Sequence, residues 1–102
     1  MAEYTLGLEA EDDLLEIGRY TARTWGLEQT EIYLGQLERH FEGLCAGQIH
    51  ARSVFQHRAD ILCSHCLHHY VFFFKDRDGD VVILAVLHEK MDLLARLQDR
   101  LS

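Results

Sequence analysis

At 102 residues and 48% hydrophobic, the chain is long and apolar enough to bury a core of its own, and too apolar to be disordered. No apolar run approaches the roughly 20 residues that span a bilayer, which disfavours a membrane-crossing helix. The formal net charge of −7 argues against a surface built to grip phosphates.

That charge is unevenly spread. Residues 1–48 hold ten Asp or Glu against three Arg, whereas residues 49–102 hold seven acids and seven Lys or Arg. There is no proline, no repeat and no Gly/Ser-rich linker, so residues 1–102 are expected to form a single domain. Three cysteines, an odd number, and no signal-peptide pattern predict reduced thiols and a cytoplasmic setting.

In chain order, Tyr4-Thr5-Leu6-Gly7-Leu8 alternates with the two-residue period of a short edge strand, or one paired beside a later hairpin. Residues 10–25 carry Leu14, Ile17, Thr21 and Trp25 at helical spacing, with acids at the start and Arg19 and Arg23 towards the end. Gly26 stops that helix. Residues 28–46 predict a second helix, with Tyr33, Leu34, Leu37, Phe41, Leu44 and Cys45 on one stripe. Two helices joined at one glycine form an antiparallel hairpin. Residues 48–60 lose the periodicity and read as an irregular connection with a short helical turn around Val54-Phe55.

Strands are expected over 61–64, over 66–74 and, after a turn at Asp76-Arg77-Asp78-Gly79, over 81–87. Asp92 is placed to cap a last helix over 93–101, with Leu94, Leu97 and Leu101 as its apolar face. The expected fold class is α+β, in the order β-α-α-β-β-β-α. A small, antiparallel-dominated sheet carries the helical hairpin on one face, and the last helix docks at the other side or at an edge.

Several stretches look chemical. Cys63-Ser64-His65-Cys66-Leu67-His68-His69 has thiols and imidazoles of the kind zinc takes, but no second cysteine pair. On an extended strand Cys63 and Cys66 point to opposite faces, so buried thiols are the expectation, with no metal and no cofactor. Of the adjacent His68 and His69, only one can face the core. Phe72, Phe73 and Phe74 could stack bases, but apolar flanks and an acidic chain favour core packing. Asp76, Asp78 and Asp80 lack the spacing of a calcium loop and suit a polar turn. No nucleophile signature is present. Residues alone therefore indicate a binding protein with no visible catalytic site.

Two segments resemble a known family. AEDDLLEIGRYTARTWG places Ala10, Asp13, Leu14, Ile17, Arg19, Tyr20, Thr21, Trp25 and Gly26 on the opening pattern of the ParE toxins of bacterial toxin–antitoxin modules. LHEKMDLLARLQDRL is similar to the LHERMD ending of their plasmid-stabilising members. The likeness covers almost the whole chain and is thinnest over residues 48–62. (The topoisomerase subunit of the same name is unrelated.)

The resemblance implies the RelE/ParE fold and a toxin that inhibits DNA gyrase by binding, with no catalysis of its own. It also implies neutralisation by a ParD-like antitoxin of the ribbon-helix-helix type, and neither specific nucleic-acid binding nor a membrane role is expected. Target contact is expected on His88, Glu89, Lys90, Asp92 and Arg96. The antitoxin-binding residues are not assigned beyond the outer face of the helical hairpin and the sheet edge. Two alternatives stand beside this: a ribosome-dependent mRNA-cleaving toxin on the same fold, with His88 and Lys90 or Arg96 as its candidate set, and a metal- or redox-responsive module using Cys63, Cys66 and the neighbouring histidines.

Overall fold

The computed structural model describes residues 3–101. The alternating start forms β1 (Tyr4–Leu6), and the amphipathic segment after it forms α1 (Leu8–Trp25). Gly26 alone separates α1 from α2 (Leu27–Cys45). Its φ of 92° and ψ of 169° lie where essentially only glycine is found, and nothing lies within 4 Å of the place a Cβ would occupy. The cost of a side chain there is therefore backbone strain. Gly26→Ala should lower stability by about 1–2 kcal/mol in urea unfolding. An unchanged midpoint would show that the turn has another path open to it.

Four further strands follow: β2 (Arg52–Ser53), β3 (Leu62–Cys66), β4 (His69–Lys75) and β5 (Val81–His88), before α3 (Leu93–Leu101). They form one five-stranded sheet in the order β1-β5-β4-β3-β2. β1 runs parallel to β5, and the other pairs are antiparallel. The β4–β5 turn is closed by the Asp76 carboxylate, which accepts the amides of Asp78 and Asp80 at 2.9 and 3.0 Å.

The sheet has a core on each face. The helical hairpin covers one, where Ile17, Leu37, Phe41 and Leu44 meet Val71, Phe73, Val81, Ile83 and Val86. α3 covers the other, where Leu97 meets Ile61, Phe72, Ala85 and Leu87. Consecutive phenylalanines thus serve opposite cores, as the strand period requires. Among the described residues, no helix is long and apolar enough to cross a membrane.

Several expectations are corrected. β2, at the sheet edge, lies in what reads as a structureless connection, because two exposed residues carry no alternation. Val54 and Phe55 make no helical turn; they pack against the α3-side core. Cys66 ends β3 and does not begin β4, because the chain turns through Leu67-His68 with Leu67 at φ 58°. Trp25 is 69% exposed and Leu94 is 50% exposed. The inward face of α3 is instead Leu93, Leu97 and Leu101.

β5 also breaks its own alternation. Phe72 pairs with Ala85 but Phe73 with Ile83, so Leu84 is an extra residue in a β-bulge. Val81 and Ile83 face the helical hairpin, whereas Ala85 and Leu87 face α3. A run of seven apolar residues hides such a parity change completely.

Candidate functional site

β1 has three residues and β5 has eight. Their pairing ends at Ile83, whose carbonyl accepts the Gly7 amide at 2.9 Å. Beyond that point β5 has an open edge. The Asp13 side chain reaches it from α1 and accepts the Val86 N–H at 2.9 Å. The same carboxylate receives Arg100 of α3 in a two-pronged pair, at 2.7 Å from Nη1 and 2.6 Å from Nη2. Arg100 also donates to the carbonyl of the bulged Leu84 at 3.3 Å and pairs through Nε with Glu9 at 2.9 Å. One acid and one guanidinium thus join α1, β5 and α3 where the sheet lacks a strand.

Beside this junction lies a cleft of about 410 Å³. Its walls include Asp13 and Glu16 of α1, His69 and His88 of the sheet, and Arg96 and Asp99 of α3. The structure therefore brings two of the expected target-binding residues, His88 and Arg96, into one concave place. The other three are deployed differently. Lys90 is exposed, and its amide donates to His88 Nδ1 at 3.1 Å. Asp92 caps α3, accepting the Ala95 N–H at 3.3 Å. Glu89 turns away from the cleft into a cluster of histidines.

That cluster gathers His65, His68, His69 and His88 at one end of the sheet. Glu89 accepts from His65 Nε2 at 3.0 Å and from His68 Nδ1 at 3.2 Å. These contacts, that with His68 foremost, hold the Glu89 carboxyl below the usual carboxylate range. His69 is buried, with Nδ1 2.6 Å from the Tyr33 hydroxyl. The Tyr33 oxygen in turn accepts the His68 N–H at 3.3 Å. Burial, reinforced by His88 and His68, pushes His69 down to about 4. His40 is also buried, 2.8 Å from Ser64 Oγ, and burial lowers it too.

The cysteines do not join this chemistry. Cys63 belongs to the α3-side core and Cys66 to the hairpin-side core, so the pair shares no site. Burial raises the Cys63 thiol to about 11 and raises Cys66 as well, which makes both poor nucleophiles. The Asp76, Asp78 and Asp80 oxygens lie within 4.8 Å of one another, in the hydrogen-bonded turn already described.

Sequence reasoning missed Asp13, Arg100 and His65 as members of this region. Asp13 and Arg100 are 87 residues apart, and each has an adequate local reading as a helix-terminus charge.

The family model for the ParE toxin of the type II toxin–antitoxin system, parDE, matches residues 4–93. The chain is 40% identical over 102 residues to Toxin ParE of Escherichia coli, covering 100% of this chain and 99% of that one. Among solved structures, a chain of the chromosomal ParDE toxin–antitoxin system from P. aeruginosa superposes with a TM-score of 0.71 at 16% identity, covering 86% of this chain and 96% of that one. A chain of the RelBE2 toxin–antitoxin complex from Mycobacterium tuberculosis does so with a TM-score of 0.52 at 21% identity, covering 85% and 96%. At those identities the structural likenesses speak for the fold.

Proposed function

The chain belongs to the ParE toxins of type II toxin–antitoxin systems, and from that premise we propose that it acts in the cytoplasm by binding and inhibiting DNA gyrase. A ParD-like antitoxin holds it silent. The observation that carries this reading is the end-to-end match to a Toxin ParE, with both quoted motifs inside it. The antitoxin partner is supported by the solved ParDE system of the same fold.

Inhibition by occupancy, without catalysis, is supported by the charges of the cleft. A ribonuclease site needs cations free to meet the phosphate. Here Arg100 is paired with Asp13 and Glu9, and Glu16 and Asp99 line the same cleft as Arg96. We place target contact on the β5–α3 exit, with His88 and Arg96 at the cleft and Glu89, Lys90 and Asp92 around it.

Purified protein should block gyrase supercoiling, and the antitoxin encoded beside it should restore it. Arg96→Glu reverses an exposed charge at the proposed contact and should weaken inhibition about tenfold without loss of fold. Supercoiling that is untouched at large protein excess would refute the gyrase assignment. Ribosome-dependent mRNA cleavage that disappears in His88→Ala would replace it with the ribonuclease reading.

A further inference from the structure

We propose that Glu11 and Glu38 make the groove between α1 and α2 selective for one kind of partner: an amphipathic helix whose apolar stripe is bordered on both sides by Lys or Arg. The occupant is a segment of the antitoxin, so the inference deepens the antitoxin assignment and rests on it.

The groove has a volume of about 340 Å³ and shares none of its lining residues with the cleft at the β5–α3 exit. Leu6, Leu14, Leu34 and Phe41 give it an apolar lining. Leu15 also lines it and is 56% exposed. Leu8, seven residues earlier on the same stripe of α1, is 82% exposed and extends the uncovered apolar surface. A trough between two helices that is apolar along its length suits the apolar face of a third helix.

The rim decides what that helix carries. Glu11 stands on the α1 side and Glu38 on the α2 side, both exposed. Neither has an ion pair among the described residues. Burial first, then the charges of Glu38 and Glu42, raise the Tyr4 hydroxyl above its usual range, and Tyr4 packs edge-on against Phe41 of the groove. The negative field therefore reaches the β1 end as well. Of the three arginines in residues 1–48, Arg19 is paired with Glu16, and none lines the groove. A second copy of the chain would set the same acids against one another, and nucleic acid or an anionic lipid surface has the wrong sign. A helix flanked by cations fills the trough and meets both rims.

The test is calorimetric titration of the full chain with the antitoxin encoded beside it, at about 0.05 M and about 0.5 M salt. Glu11→Gln combined with Glu38→Gln should weaken binding about tenfold at the lower salt and remove most of the difference between the two salts. Glu11→Lys combined with Glu38→Lys should weaken it about a hundredfold. Leu15→Ala should weaken it by a similar factor at both salts, as loss of apolar contact does. Glu28→Gln combined with Asp78→Asn removes two exposed charges elsewhere and should leave binding unchanged. In the wild-type protein, the antitoxin should shift the methyl resonances of Leu14, Leu15 and Leu34, a readout that needs no variant to fold. Affinity and salt dependence that are unchanged in the Gln double variant, or methyl shifts that spare the groove, would overturn the assignment and leave the antitoxin as partner. A wild-type chain that does not bind the antitoxin at all would instead remove the reading on which the assignment rests.

Discussion

Replacing Asp13 by alanine is expected to lower the unfolding free energy by about 2–4 kcal/mol, read from urea denaturation. Three losses coincide. The Val86 N–H on the open edge of β5 loses its acceptor. Arg100 loses a two-pronged partner while its side chain remains 21% exposed, so its charge stays largely away from water. α3 loses the two-pronged part of its tie to α1 and keeps chiefly the Glu9–Arg100 pair and the packing of Leu97 and its neighbours. Glu9 still pairs with Arg100 and moderates the cost, which is why the figure falls short of that for a fully isolated buried charge.

Asp13→Leu combined with Arg100→Leu should be less damaging than the sum of the two single changes, because no charge is then left without its partner. Strict additivity would show that the pair is a surface ornament. Asp13→Ala should also weaken the proposed gyrase inhibition by more than its stability loss explains, because Arg96 rides on the helix that is loosened.

The helical hairpin, the β4–β5 hairpin and α3 were all legible in the sequence, because each is written in local periodicity. Ile17, Leu37 and Phe41 had to face a common core at helical spacing, and Gly26 had to mark the turn. What escaped has a physical reason in each case. β2 pairs only Arg52 with Cys63 and Ser53 with Leu62, and it has no buried side chain to announce it. The bulge at Leu84 reverses facing within an unbroken apolar run, where period-2 reasoning has nothing to grip. The exposure of Leu94 follows from helix phase: Leu93, Leu97 and Leu101 share one stripe at spacings of four, and the sheet selects that stripe.

The candidate site divides in the same way. The segment His88 to Asp92 stands out in the sequence because the motif is contiguous, but of its residues His88 and Met91 are the ones that line the cleft. The Asp13–Arg100 junction does not stand out, because it exists only where β1 stops short of β5. The histidines give the sharpest contrast. In sequence they suggested chemistry shared with Cys63 and Cys66. In space the strand period separates the thiols into two cores, and the turn at Leu67-His68 brings His65 and His68 onto Glu89 instead.

Stability should fall by about 2 kcal/mol as the pH is lowered from about 7 to about 5, with His69 as the main cause. The ring is 8% exposed and titrates at about 4, against an ordinary value of 6.5. Above the ordinary value neither the folded nor the unfolded chain protonates it, and it exerts no pH-dependent effect. Between 6.5 and about 4 the unfolded chain binds a proton that the folded chain refuses, so unfolding is favoured progressively as the pH drops.

Geometry explains the refusal. The Tyr33 oxygen accepts the His68 N–H, which leaves its own hydrogen to donate to His69 Nδ1. A proton on Nδ1 would confront that hydrogen inside a pocket that already holds the His88 ring 5.2 Å away. His40, buried against Ser64 and also lowered, acts in the same direction. Urea midpoints measured across this window lie above the range where most carboxylates titrate, which keeps the histidine contribution readable. His69→Gln retains an acceptor for Tyr33 and cannot be protonated, so it should flatten most of the slope. A wild-type stability that stays level from about pH 7 to about pH 5, or a slope unchanged in His69→Gln, would mean that this end of the sheet opens readily enough to let His69 take up its proton in the folded chain.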